Sequence, residues 1–375
     1  MHVPVRFITT ALLALAPAAA QAQQPTREHK PPRVATSPPA ATYTPTSAVV
    51  APAEVARLLG ALSDDSLEGR DTGSRGSAAA ARIIAAELRA AGARPAGDSG
   101  YFQRVPVART TITVQGRTRT RTVLLPDLAA GDTLAMESRL PVVAVNVVGV
   151  LPGGDPQLRD EAVVVTAHYD HLGIGQPVNG DSIYNGADDD ASGTAAVLEI
   201  ARLLGRGPAP KRTVVFLLVT GEERGMLGTR WYLDHPVVPL DHTVANLNVE
   251  MIGRPDSLAG GPGMGWLTGF ERSTLGAALR EADIPIIPDP RPDQHFFERS
   301  DNYAFARRGI VAHTLSTYDL HADYHRPSDE ARFTNPAHMA QVVGAAARAV
   351  RLLADGPAPQ WAPGGRPGEQ VPGRP

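Results

Sequence analysis

The chain has 375 residues, of which 43% are apolar, with a formal charge of −3 and no cysteine. This length and apolar content suit one large domain or two small ones with an ample core, and exclude a disordered chain. There is no basic excess to neutralise nucleic-acid phosphates. Disulfides, thiolate nucleophiles and cysteine-held zinc are excluded, so any metal must be held by His, Asp and Glu.

At the N-terminus, His2 and Arg6 precede the apolar run 11–20 and the small-x-small sequence Ala20-Gln21-Ala22. This is the pattern of a secretory signal over 1–22. The run is too short to span a bilayer, and no cysteine stands at the cleavage site to carry a lipid. The expectation is export, to the periplasm or beyond, without a membrane anchor. Residues 23–48 are rich in Pro, Thr and Ala and read as a disordered linker. Residues 355–375 have the same character and read as a disordered tail, which leaves a folded unit over 50–354.

Within that unit, apolar residues recur at helical spacing over 53–62 and 77–91, with Ile83, Ile84 and Leu88 on one face and Gly92 at the end. The intervening SLEGRDTGSRG is a polar, glycine-rich loop. Residues 110–125 alternate like strands with one wet face, 127–140 read as a loop, and 142–151 read as a strand. The rest alternates in type. Unbroken apolar runs at 162–167 and 213–219, with further strands at 244–249 and 310–315, are interleaved with helices at 192–204, 226–233, 273–282 and 336–353. Such alternation predicts an α/β fold, with a mostly parallel central sheet flanked by helices on both faces.

The polar clusters sit at strand ends. His168 follows the first buried run, Glu222 and Glu223 the second, and Glu250 the strand ANLNV. Ligands of open α/β sheets bind outside the carboxyl ends of the strands, so these three clusters converge on one crevice. Each has an ordinary explanation alone: a surface His at a strand end, an acid favouring a helix dipole, a carboxylate emerging into water. The run Asp188-Asp189-Asp190 is harder to dismiss. One Asp suffices to cap the helix that follows, and three together repel unless a cation sits among them. The late segment DLHADYHRPSD adds His321 and His325, with Tyr324 adjacent.

Adjacent side chains at 222 and 223 point differently, so one can bind a metal while the other faces the attacking water. Metal-assisted hydrolysis requires that division. Charge accounting favours two divalent ions: Asp189, Glu223, Glu250 and a bridging hydroxide supply four negative charges, and His168 and His325 are neutral ligands. Mixed N/O ligands suit zinc best, with cobalt or manganese as substitutes.

Together, AHYD, GADDDASG, TGEERG, NVEMIG and DYHRPSD resemble the co-catalytic zinc exopeptidases of clan MH over roughly 54–354. The resemblance is greatest to the aminopeptidase S, aminopeptidase Y and bacterial leucyl aminopeptidase group of peptidase family M28. It implies a zinc-dependent exopeptidase (phosphorylase/hydrolase-like) fold and two Zn2+. His168, Asp189, Glu223, Glu250 and His325 would be the metal ligands, with Asp189 bridging. Asp170 would orient His168, Glu222 would be the general base and then acid, and Tyr324 would help to stabilise the oxyanion. A cis peptide is expected at Asp189–Asp190.

Two features depart from the family pattern. Glu250 stands where many relatives have Asp, and 101–161 is too short for a complete protease-associated insert. The segment FFERSDNYAFARRGI resembles the loop that places Phe296, Phe297 and Asp301 along a substrate pocket. The implied function is a secreted dizinc aminopeptidase acting on peptides through a metal-bridging hydroxide. The alternative is a carboxypeptidase or dipeptidase using Arg299, Arg307 or Arg308, and less favoured are a single-zinc glutaminyl cyclase and a non-catalytic binding relative. Oligomeric state and side-chain preference are open at this level.

Overall fold

The computed structural model describes residues 49–114, 117–130 and 144–369. The expected signal at 1–22, the expected linker at 23–48 and most of the expected loop at 127–140 lie outside the described residues.

Helices α1 (Pro52–Leu62) and α2 (Arg75–Ala90) come first; α1 opens on Pro52, whose missing N–H needs no partner there, and α2 is capped by the Ser74 hydroxyl. Short strands β1 (Arg94–Pro95) and β2 (Phe102–Val105) follow. Next is an antiparallel pair, β3 (Val107–Val114) and β4 (Arg117–Leu124), where the alternating sequence placed strands. Strand β5 (Ala144–Leu151) leads to β6 (Ala162–His168), and then to a small hairpin, β7 (Gly173–Val178) and β8 (Asp181–Tyr184). The rest runs α3 (Gly193–Arg206), β9 (Thr213–Val219), α4 (Leu227–Asp234), β10 (Thr243–Val249), β11 (Gly265–Leu267), α5 (Thr274–Glu281), β12 (Ile286–Pro288), α6 (Asp301–Arg307), β13 (Val311–Ser316) and α7 (Pro336–Asp355).

One sheet of nine strands carries the fold, in the order β1-β5-β9-β6-β10-β13-β11-β12, with β2 also paired to β5. Its centre, β9-β6-β10-β13, is parallel. The flanks are mixed: β5 runs antiparallel to β9, and β11 antiparallel to β13. The α/β fold is as expected, with a mixed sheet: β12 also pairs with β11 in parallel, and the antiparallel share comes mainly from β5, which pairs so with β1, β2 and β9.

The central strands read as unbroken apolar runs because both of their faces are covered. Val163, Val165, Phe216, Leu218 and Leu247 face the core built with α1, α2, α3 and α7. Val164, Val215, Leu217 and Val219 face Tyr232 of α4 and Phe305 of α6. The α/β architecture with helices on both faces follows from that alternation.

A correction concerns the C-terminal segment, expected to be a tail from residue 355. Helix α7 continues to Asp355, and the residues beyond it pack against the body as far as they are described. The Trp361 indole N–H donates to the Gly309 carbonyl at 2.9 Å, and its ring lies against Phe297 and His313. The Pro/Gly-rich composition concealed a single aromatic anchor that holds an irregular strap to the surface.

Candidate metal centre

The carboxyl ends of β6, β9 and β10 deliver the side chains of the centre. His168 is the last residue of β6, and its Nε2 lies 3.2 Å from Asp189 Oδ1. Asp189 sits in the 187–192 turn ahead of α3, joined to Asp190 by the expected cis peptide. Past β9, Gly221 takes a positive φ of 74° and turns the chain so that Glu222 and Glu223 diverge. The late loop brings His325 in, with Nε2 3.1 Å from Asp189 Oδ2 and 3.2 Å from Glu223 Oε1. Four of the five expected ligands thus meet around Asp189.

Glu250, the fifth, follows β10. Its carboxylate accepts from the Ser300 hydroxyl and, at 3.2 Å, from the Asn248 amide. A polar ladder on the sheet supports that amide: Thr166 donates to Asn248 at 2.8 Å, and Asn246 donates to Thr166 at 3.0 Å. Two apparently misplaced asparagines in the strand ANLNV therefore hold the floor under Glu250.

The other two aspartates of the triplet are occupied elsewhere. Asp188 accepts from the Gly253 amide at 2.6 Å and meets His321 Nε2 at 3.0 Å. Asp190 accepts from the Gly193 amide at 2.9 Å and the Met251 amide at 3.0 Å. Asp329, from the late motif, receives the Asp188 and Asp189 amides at 3.0 Å. These bonds fix the turn from which Asp189 projects.

Asp170 is placed differently from the expected orienting role. His168 Nδ1 is 3.1 Å from the backbone oxygen of Asp170 and 3.8 Å from its carboxylate. The carboxylate instead accepts from the Thr72 hydroxyl at 2.9 Å and from the Glu222 amide at 3.2 Å. The main chain orients the histidine, and the side chain holds the segment carrying Glu222.

Two residues of the centre escaped the sequence reading. His171, one residue beyond His-x-Asp, is fully buried, with Nδ1 2.9 Å from Glu223 Oε1 and 3.9 Å from Asp189 Oδ2. Arg70, in the glycine-rich loop between α1 and α2, is buried beneath the site. Its guanidinium donates to the carbonyls of Leu62 and Asn185, both at 2.6 Å, Tyr169 at 2.7 Å and Gly186 at 2.9 Å. One planar fork ties the His168 loop to the loop entering the aspartate triplet. The only sequence signal for His171 is its place in HYDH, and for Arg70 there is none.

The donor chemistry fits a metal. Among the described residues, His168 Nε2, both ring nitrogens of His171, Glu223 Oε1 and His325 Nε2 are buried without a hydrogen-bond partner. Buried polar groups are rarely left so, and several sharing one spot have the character of cation ligands. Imidazole and carboxylate together suit zinc. His171, Asp189 and Glu223 have donor atoms close enough to share one ion.

Electrostatics follow the same arrangement. Burial, reinforced by Glu250 and Asp301, holds the Glu222 carboxyl well above the usual carboxylate range against the pull of His168. Burial also pushes Glu250 up to about 7, with Asp189 adding to it. Burial would raise Asp189 as well, but His168 and His325 hold it well below the carboxylate range. The centre gathers more acids than its own side chains neutralise, which suits divalent cations.

Beside Glu250 opens a cleft lined by Trp266, Phe296, Tyr318, Tyr324 and Arg299. Trp266 stacks on Phe296 at 5.3 Å, and Tyr324 stacks on His325 at 3.9 Å. The Arg299 guanidinium lies 5.0 Å over Phe296. Phe296 belongs to this cleft as expected. Phe297 does not line it and packs in the core with Phe305 and Trp361. Asp301 is buried, accepting a hydrogen bond from Thr229.

Comparison with known proteins returns a consistent picture. Residues 146–350, more than half of the chain, match the model of peptidase family M28. Aminopeptidase YwaD of Bacillus subtilis (strain 168) is 32% identical over 122 residues, which is 32% of this chain and 24% of that protein. The match spans about a quarter or less of the first curated relatives. Among solved structures, a zinc aminopeptidase from Bacillus subtilis superposes with a TM-score of 0.59 at 15% identity, covering 81% of this chain and 95% of that one. Glutaminyl cyclase of Porphyromonas gingivalis does so with a TM-score of 0.54 at 15% identity, over 80% and 98%. At these identities, the structures speak for the fold alone.

Proposed function

Because the chain belongs to peptidase family M28, we propose that it is an exported aminopeptidase that binds two zinc ions and removes the N-terminal residue of peptides. The observation that carries this reading is the aromatic cleft ending at Glu250. An apolar side chain seated among Trp266, Phe296 and Tyr318 brings the amino group of the same residue to a surplus of carboxylates. A free amino group, rather than a blocked one, suits the acceptor oxygens of Glu250 at that end.

Bound zinc supplies Lewis acidity toward the scissile carbonyl and the attacking water. His168, Asp189, Glu223, Glu250 and His325 would hold it, and cobalt or manganese would be tolerated. Asp189, Glu223 and Glu250 place three negative charges there, too many for one divalent ion. Glu222, held by its amide on Asp170, takes a proton from the water as the new C–O bond forms. It then returns the proton to the amide nitrogen as the C–N bond breaks. Its raised proton affinity suits a group that must both accept and donate near neutral pH. Burial also raises the Tyr324 phenol, so it keeps its proton and is available to the oxyanion from the cleft wall.

A second reading has its own support. Arg299 lines the same cleft, and a guanidinium is the natural partner of a substrate carboxylate, as a carboxypeptidase or dipeptidase requires. Arg308 is paired to Asp234. A panel of aminoacyl-anilides and of N-blocked peptides with free C-termini, with and without chelator, separates the two. Chelator-sensitive release of anilide supports the aminopeptidase. Cleavage confined to blocked peptides overturns it, and one zinc per chain in active protein would favour cyclase-type chemistry.

A further inference from the structure

His171 is the one buried histidine beside the centre that the five family motifs do not assign. We infer that it is a third nitrogen ligand there, binding through Nδ1 the same ion as Glu223 and His325. The inference rests on the zinc-binding part of the reading above, not on the choice of substrate.

Three observations support it. The first is alignment. Nδ1 stands 2.9 Å from Glu223 Oε1, yet both atoms are without a hydrogen-bond partner. Two polar atoms this close but not directed at each other are arranged as two ligands of one ion. With metal–ligand bonds of about 2.0–2.1 Å, neighbouring donors lie roughly 3–3.5 Å apart. The 2.9 Å and 3.9 Å separations to Glu223 and Asp189 bracket that spacing, and the 3.1 Å and 3.2 Å of His325 to the same two carboxylates fall within it.

The second is burial. His171 is wholly inaccessible, whereas the His325 side chain is 35% exposed. An uncharged imidazole with both nitrogens buried and unsatisfied costs stability, and ligation removes that cost for Nδ1.

The third is the cradle. Gly186 lies under the ring, and a Cβ there would come 2.4 Å and 2.5 Å from two imidazole carbons and 2.2 Å from the Asp189 carbonyl oxygen. Its φ of 55° also suits glycine. A ligating histidine is usually oriented by a hydrogen bond from its second nitrogen. Nε2 has no protein acceptor among the described residues, so steric confinement against Gly186 does the orienting. The T-shaped contact with the His325 ring at 5.6 Å completes the enclosure.

The test is metal coordination in the full chain, read apart from catalysis. Zinc-loaded wild-type protein is examined by X-ray absorption for the imidazole count. Three imidazoles per two ions supports the assignment, and two overturns it, with no variant required. His171→Ala and His171→Asn are then titrated with zinc against a chromophoric chelator and with cobalt by visible absorption. The expected result is one ion weakened at least 10- to 100-fold, the other spared, and an altered cobalt spectrum. Wild-type affinity for both ions with an unchanged spectrum overturns the inference. Anilide hydrolysis is scored separately: an inactive protein with three imidazoles sinks the aminopeptidase reading alone, and an active one with two sinks the His171 assignment alone.

Discussion

Asp170 and Glu222 are joined through the main chain: the Glu222 amide donates to Asp170 Oδ1 at 3.2 Å, while Oδ2 holds the Thr72 hydroxyl at 2.9 Å. Asp170 therefore acts on the carrier of the base. Asp170→Ala leaves the Glu222 amide and the Thr72 hydroxyl without their acceptor and frees the turn after β9. The expected outcome is a 10- to 100-fold fall in kcat, roughly the loss that follows removal of a supporting residue, with zinc still bound. Asp170→Asn keeps one carbonyl acceptor, so its loss should be smaller. If both variants lose zinc equally, the carboxylate acts on His168 instead.

Glu222 itself is tested by Glu222→Gln, which preserves shape and removes the proton carrier. Acid–base catalysis is worth about 10² to 10⁴ in rate, so kcat should fall by that much, with KM and metal content little changed. Metal content by mass spectrometry is the discriminating measurement. Loss of an ion from this variant would mean that Glu223 is the base and Glu222 the ligand.

The parts of this centre legible in the sequence are those at the ends of buried strands. His168, Glu222, Glu223 and Glu250 each follow an apolar run, and position after such a run is a statement about sheet edges. Arg70 was not legible because its partners are backbone carbonyls more than 100 residues away in two cases, Asn185 and Gly186, and carbonyls leave no mark on composition. His171 was not legible because the His-x-Asp motif ends at the orienting acid Asp170, one residue short of it. Strands β11 and β12 have three residues each, shorter than any periodicity can register. Trp361 was hidden by its prolines and glycines.

Arg70 gives a stability prediction. It is a buried cation with four carbonyl acceptors, and burial lowers its pKa to about 10 against the opposing pull of Asp170, Asp329 and Asp189. Arg70→Ala orphans the four carbonyls and removes a buried positive charge that interacts with Asp170, Asp189 and Asp190. Hydrogen bonds to charged groups are worth about 1.5–3 kcal/mol each, so urea unfolding should show a loss above about 3 kcal/mol. Arg70→Lys retains charge but cannot reach four divergent acceptors. It should recover only part of the loss.

His313 gives a pH dependence free of the metal. It is buried in β13, with Nδ1 2.7 Å from the Thr268 carbonyl and Nε2 2.7 Å from the Ser273 hydroxyl. Nδ1–H donates and Nε2 accepts, so the folded ring is neutral. Burial pushes its pKa down to about 4, against about 6.5 in the unfolded chain. As pH falls below 6.5 the unfolded chain takes up a proton that the folded one refuses, so stability declines until about pH 4. In thermal melts across that range, His313→Gln should lose less than wild type per pH unit. Parallel profiles would mean that the folded ring takes up its proton as readily as the unfolded one.

The aromatic cleft makes the claim about substrate most directly testable. Phe296 stacks on Trp266 at 5.3 Å and meets Tyr318 edge-on at 5.8 Å, with the Arg299 guanidinium 5.0 Å from its ring centre. Phe296→Ala opens the wall without touching any of the proposed ligands. A single methylene in an apolar pocket is worth about 10- to 200-fold in discrimination. kcat/KM for substrates beginning in Leu or Phe should therefore fall at least about tenfold more than for those beginning in Ala. The same variant frees Arg299 from its stacking partner, so a simultaneous gain on acidic N-terminal residues is expected. An equal fall for every substrate would show that the cleft shapes the metal centre and that the side chain of the cleaved residue lies elsewhere.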